Sequence, residues 1–428
     1  MKKVNDWIDE HREEMIQYLA KLVRIPSINP WFSEYKEYTT EKEVQEFIGN
    51  SLEDMGFKVK VWDVNPEELK EFEGMPGYYE GRPMKDRPNL CALKKLLTGH
   101  ADVVKVGEGW TKPPFDSVIE NGKMYGRGTN DMKGGIAAMI MACRALEECQ
   151  ITLKGDLYVG TVSDEEAGGT GTLDFVHRDI HPDAAIMTEP TSLKIGPMCR
   201  GILWGKILIP AKAGHIEMYQ EHYSKGGAVD GVKLLQLYLN QIDMLNREWA
   251  VKRKHPLLPM PCQVLVSQVR AGEYPSAYAG FAEISFNAQY LPEDLDEKYR
   301  GSKVKKEIEE FVAAVAQTNE WLRENPPHVE WLMDSDCAET PQEHPFVQTL
   351  RHAAEEIDGK SVIEGVGSHA DIGWFVRTGT PTVNFGPGDP KIAHQADEYV
   401  ELEEYIRCIK ILAEMILEWC ETEQLISE

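Results

Sequence analysis

The chain has 428 residues, 46 of them Lys or Arg and 71 Asp or Glu, for a formal net charge of −25. That length fits two or three domains with their own cores, and 42 % hydrophobic with 27 % charged residues is ordinary globular usage, unlike that of a disordered acidic tail. The negative excess would be repelled by phosphate backbones and anionic headgroups, which argues against nucleic acid and membrane as partners.

The opening MKKVNDWIDEHREEM runs from two lysines straight into acidic residues, so no secretory signal is read, and no window reaches the run of roughly 18 apolar residues that a spanning helix needs. The eight cysteines (91, 143, 149, 199, 262, 337, 408, 420) form no CxxC pair and are expected to be buried thiols in a reducing cytosol. From Val4 to Val23 apolar residues recur at helical spacing, predicting one amphipathic helix. Strand-like runs then alternate with helices: Lys58 to Trp62, Leu96 to Val104, a helix from Ile136 to Leu146, Leu157 to Val162, and Ala184 to Met187. This is an α/β signature. Around Cys199 the texture changes to a strand (Leu203 to Ile209), a helix (Ala228 to Leu245), strands near Val264 to Val269 and Ala282 to Tyr290, and a helix from Val304, with a further strand near Trp331. That order predicts an inserted open-faced sandwich, residues 198–333, interrupting a domain formed by 1–197 and 334–428. CALKKLLTGHADVV joins two strands without a turn residue, so a short turn near residue 95 is expected to be missing.

Five short segments carry chemistry. LLTGHADVV places His100 and Asp102 two apart at a strand end, on one face, where a carboxylate can fix the tautomer of a ligating imidazole. GRGTNDMKGG surrounds Asp131 with glycines before a helix; a plain turn and a phosphate loop are the rival readings, the latter lacking a GKS or GKT end. VSDEEAGGTGT clusters Asp164, Glu165 and Glu166 after a strand, where like charges about 4 Å apart repel by roughly 4 kcal/mol at an effective dielectric near 20. On an exposed helix such a run would be a solvated face. TEP supplies Glu189, and KIAHQADEYV supplies His394. Each is unremarkable alone. Together His100, Asp131, Glu166, Glu189 and His394 offer two imidazoles and three carboxylates at strand ends and loops, a nitrogen and oxygen set that suits zinc, manganese or cobalt.

These motifs, in this order, resemble the M20 metallopeptidases, which include acetylornithine deacetylase, succinyl-diaminopimelate desuccinylase and carboxypeptidase G. The resemblance implies an aminopeptidase-like mixed-sheet catalytic domain with two divalent metal ions, zinc first, and an inserted ferredoxin-like α+β lid that dimerises. It implies that Asp131 bridges the metals, that His100 and Glu189 complete one site and Glu166 and His394 the other, and that Asp102 orients His100. It further implies Glu165 as general base and acid, a cis peptide after Asp131, and a lid histidine, His215, that reaches the partner subunit's active site to hold the substrate carbonyl oxygen.

Three positions depart from the family pattern. Where relatives grip a substrate carboxylate with a lid arginine and an asparagine, this chain has Gln289 and Ser276, and glutamine lacks the charged fork. Arg200, Arg270 and Lys212 are the possible substitutes, and Ala370 stands where many relatives carry a hydroxyl before Asp371. The expected function is a cytoplasmic two-metal amidohydrolase, a homodimer or larger homo-oligomer, removing an acyl group from an N-acyl amino acid or related metabolite. The alternatives are hydrolysis of another carbon–nitrogen bond, as in a ureide or aromatic amine, a carboxypeptidase or dipeptidase, and a catalytically silent relative.

Overall fold

The computed structural model describes residues 1–32, 39–95, 97–178 and 180–422. Its elements divide the chain into two compact units, one formed by Met1–Cys199, Glu339–Val366 and Ala370–Glu428, the other by Arg200–Ala338 with Gly367–His369. The fold is mixed α/β.

The first unit opens with α1 (Lys2–Glu10) and α2 (Arg12–Val23). The single helix expected here is broken at His11, whose ring stacks on Trp7 at 4.2 Å and whose Nδ1 bonds the Trp7 carbonyl at 2.9 Å, a side-chain competitor for the helical backbone. There follow α3 (Glu41–Asp54), β1 (Lys58–Asp63), β2 (Pro88–Lys95), β3 (Leu97–His100), β4 (Val118–Glu120), β5 (Lys123–Tyr125), α4 (Lys133–Glu148), β6 (Leu157–Val162), α5 (Thr170–His177) and β7 (Ala185–Met187). The second unit contributes β8 (Gly201–Pro210), α6 (Gly231–Lys252), β9 (Val264–Ala271), β10 (Phe281–Tyr290), α7 (Ser302–Ala316), α8 (Glu320–Glu324) and β11 (His328–Ser335). The first unit then resumes with α9 (Pro345–Asp358), α10 (Ile372–Arg377), β12 (Thr382–Asn384), β13 (Tyr399–Glu401) and α11 (Leu402–Cys420).

The main sheet of the first unit has the order β1-β2-β6-β3-β7-β12. β1, β2 and β6 pair antiparallel, whereas β6, β3, β7 and β12 run parallel. Parallel strands need covered faces, and accordingly β7 and β12 are buried at every residue, while α2, α4 and α11 supply the apolar cover through Leu19, Ile136, Ile140, Tyr405 and Leu412. β2 and β3 lie on either side of β6, and the residue linking them, Leu96, where a missing turn was expected, lies outside the described residues.

In the second unit the order is β11-β8-β10-β9, all antiparallel, and the chain order is strand, helix, strand, strand, helix, strand. That is the ferredoxin-like arrangement. Alternate residues of β8 and β10 are buried beneath helices, giving a clean period of two. The Asp230 side chain caps α6 by accepting from Val232 N at 3.0 Å. β11 continues to Ser335, paired with Ile202, so the unit ends a few residues beyond the expected 333.

Candidate metal centre

The carboxyl ends of the parallel strands of an open α/β sheet are where ligands bind, and each chemistry-bearing segment emerges there. His100 closes β3, Glu165 and Glu166 follow β6, Glu189 follows β7, Asp131 precedes α4, and His394 lies between β12 and β13. Their side chains converge. Asp131 stands between the imidazoles, with Oδ1 at 3.1 Å from His100 Nε2 and Oδ2 at 3.2 Å from His394 Nε2. His394 Nε2 is also 3.1 Å from Glu166 Oε2, and His100 Nε2 is 3.6 Å from Glu165 Oε2 and 3.8 Å from Glu189 Oε1. Two sets, His100–Asp131–Glu166 and His100–Glu165–Glu189, each bring their ligand atoms within 4.8 Å of one another.

Local backbone explains the convergence. Gly128 takes a φ of +85°, a left-handed turn open to glycine, and a Cβ on Gly135 would overlap the Thr188 carbonyl oxygen where α4 packs against the end of β7. The Asp131–Met132 peptide is cis. Asp164, with φ +66°, turns the chain out of β6 and is held there by Arg87 Nη1 at 2.8 Å, Asn29 Nδ2 at 3.2 Å and Arg82 Nε at 3.5 Å. A left-handed aspartate persists only where its surroundings fix it. Arg87 is in turn paired with the buried Glu41.

His100 Nδ1 lies 2.9 Å from the Asp102 carbonyl oxygen, which can only accept, so Nδ1 carries the proton and Nε2 faces the acidic cluster. The Asp102 carboxylate is farther from this ring, at 3.7 Å. It accepts instead from Asn29 Nδ2 at 2.7 Å and from the backbone N–H groups of Glu165 and Glu166 at 3.2 and 3.3 Å. The carboxylate therefore holds the Glu165–Glu166 turn, while the main-chain carbonyl of the same residue holds the histidine ring.

Four carboxylates share this pocket with two imidazoles. Burial pushes the carboxyls of Glu165 and Glu189 well above their usual range, and burial likewise raises Asp102 to about 6. The Glu166 carboxylate, with Asp131, raises His394 to about 11. His100 is raised despite its burial, because Glu165, Asp131 and Glu189 outweigh the desolvation. Such crowding calls for cations, and the buried Oε1 atoms of Glu166 and Glu189 have no hydrogen-bond partner. This donor set fits divalent metal ions that take nitrogen and oxygen ligands.

Several supporting residues escape sequence reasoning. Asn29, Glu41 and Arg87 lie far from any motif, whereas Arg127 and Glu398 sit inside GRGTNDMKGG and KIAHQADEYV, four residues before Asp131 and four after His394. That matched spacing was the available signal. At Asp371 the hydroxyl missing from Ala370 is supplied by Thr172, whose Oγ1 donates to Asp371 Oδ2 at 2.5 Å.

In the second unit His215 is exposed on a segment bridged to Ala277, beside Ser276, whose carbonyl accepts from Ile216 N at 3.0 Å. Gln289 Oε1 accepts from Arg200 Nη1 at 3.0 Å, Arg200 being almost fully buried. Arg270 is exposed on β9, and Lys212 bonds the backbone of Val229.

Comparison with known proteins places these features in a family. The model of peptidase family M20/M25/M40 matches residues 96–418. The chain is 28 % identical over 430 residues to an N-formyl-4-amino-5-aminomethyl-2-methylpyrimidine deformylase of Bacillus subtilis, covering 96 % of each protein. It is 26 % identical over 417 residues to an acetylornithine deacetylase of Proteus mirabilis, covering 96 % of this chain and 97 % of that protein. Its fold is similar to that of a dipeptidase from Saccharomyces cerevisiae, with a TM-score of 0.75 at 16 % identity and 99 % of each chain covered. The chain belongs to peptidase family M20/M25/M40.

Proposed function

We propose that this chain is a two-metal amidohydrolase that removes a small acyl group, formyl first, from the nitrogen of a metabolite lacking a carboxylate at the recognition end. The convergence of His100, Asp131, Glu165, Glu166, Glu189 and His394 carries the hydrolytic part. Gln289 supports the substrate class: a neutral side chain already accepting from Arg200 offers no charged fork to a carboxylate. The full-length likeness to the Bacillus deformylase, whose named substrate is a formylated aminomethylpyrimidine, points the same way.

In this reading Asp131 would serve two metal ions, with His100 and Glu189 as the further residues that would hold one and Glu166 and His394 those that would hold the other. When bound, the ions supply acidity to a water and positive charge to the acyl oxygen. Glu165 takes the proton of the attacking water and returns it to the leaving nitrogen as the carbon–nitrogen bond breaks, yielding a free amine and a carboxylic acid. Glu165 and Glu166 are thereby divided between proton transfer and ligation. Asp102 fixes both by their backbone N–H groups. His215 holds the acyl oxygen as part of a lid, within a homodimer built on the second unit. The edge strand β9 supports that interface, since it leaves Leu265, Val266 and Val269 exposed along an unpaired edge. Zinc is the proposed physiological metal, and the burial of seven of the eight cysteines fits a reducing, cytoplasmic location.

A panel of N-formyl aminomethylpyrimidine, N-acetylornithine and a dipeptide, assayed with zinc, manganese or cobalt, tests the reading. The formamide is expected to give the highest kcat/KM. A marked preference for N-acetylornithine would favour a deacylase of amino acids, the reading that the 26 % likeness to the Proteus deacetylase supports.

A further inference from the structure

We propose that the buried Glu398–Arg127 pair is a positioning clamp that sets the Asp131 loop and the His394 loop in one register, so that the two metal ions bind as a coupled pair. The inference rests on the two-metal reading above. Both side chains are almost completely buried and form an ion pair between Glu398 Oε2 and Arg127 Nη1. Glu398 Oε1 accepts from three backbone N–H groups of the metal-ligand loop: Gly128 at 2.9 Å, Asn130 at 3.0 Å and Asp131 at 3.2 Å. The left-handed Gly128 turns those donors toward one point, a backbone nest for an anion. Arg127 Nη2 reaches the carbonyls of His394, Lys105 and Val106, each at 3.3 Å.

Both oxygens of Glu398 are thus occupied, and it cannot serve as a ligand. Nor does stability explain it, since a buried ion pair is often no better than an apolar pair of similar volume. What the pair does is tie the chain before Asp131 to the chain after His394. Asp131 touches both imidazoles, so any drift of its loop degrades both metal positions together.

Chelator-stripped protein titrated with zinc against a competing chelator tests this. The parent is expected to take two ions per chain, the second bound at least as tightly as the first. Glu398→Gln should weaken both stepwise constants about 10- to 100-fold, the range seen when groups supporting metal ligands are removed, and abolish the coupling. Arg127→Lys, a milder change, should weaken them less and decides the matter if Glu398→Gln does not fold. A lowered melting temperature of the stripped variants, with both zinc constants within about two-fold of the parent, marks a merely structural pair and overturns the inference. A parent that binds fewer than two ions overturns the two-metal reading as well.

Discussion

The two units solve different problems. In the second, β8 and β10 alternate buried and half-buried residues without interruption, with α6 packed against both strands. In the first, the strands that carry the candidate metal ligands are buried on both faces, and polar side chains such as Asp102, Asp164, Arg127 and Glu398 are buried with them. A regular pleat needs only apolar residues at every second position. A cluster of like charges must instead be held by neutral donors, counter-charges and fixed backbone, because each unpaired buried charge is costly.

That contrast can be broken where it is greatest. Chelation should abolish activity, and zinc, manganese or cobalt should restore it; a fully active metal-free preparation, checked by elemental analysis, would refute the centre. Glu165→Gln should lower kcat by about 10²- to 10⁴-fold, the usual contribution of a positioned acid–base, while metal content stays at two per chain. Equal losses of metal and turnover would instead make Glu165 a ligand. In the second unit His215→Ala should reduce kcat about ten-fold or more with metal content unchanged, and an unaltered rate would remove the histidine from the reaction.

Smaller effects sharpen the comparison. Leu412→Ala, in the apolar cover of the main sheet, should cost about 2–5 kcal/mol in denaturant unfolding. Val269→Lys, on the exposed β9 edge, should alter monomer stability by less than about 0.5 kcal/mol yet shift the protein toward monomer in size-exclusion chromatography. The smallest effect belongs to His352, whose pKa is raised by its hydrogen bond to Glu418 at 2.7 Å. Its stabilising contribution should be complete below about pH 6.5 and disappear as pH rises through the higher folded value, read by NMR titration of the ring.

The legible features were those with a local cause. Apolar periodicity revealed most strands and α4 and α6, with ends displaced by a few residues, and the order of elements pointed to an inserted open-faced sandwich. The acidic and imidazole cluster was legible because histidine and carboxylates stood at strand ends, several beside glycine turns. The break at His11 was not, because Trp7 and His11 stack only once the helix has begun. Asn29 and Arg87 were also hidden: they reach Asp102 and Asp164 across separations of 73 to 135 residues, Glu41 reaches Arg87 across 46, and no spacing rule spans such distances.

Composition, periodicity and motif chemistry by themselves determined the α/β class, the identity of the titratable groups and the kind of metal those groups suit, since each depends on residue type and near neighbours. Only the tertiary structure decided that Asp131 stands between two imidazoles, that Asp102 grips the Glu165–Glu166 turn by its backbone, and that Glu398 gathers three N–H groups of a distant loop. Those facts depend on parallel strands placing their ends side by side and on left-handed turns at Gly128 and Asp164 aiming donors and acceptors, geometry that exists only when the sheet has closed.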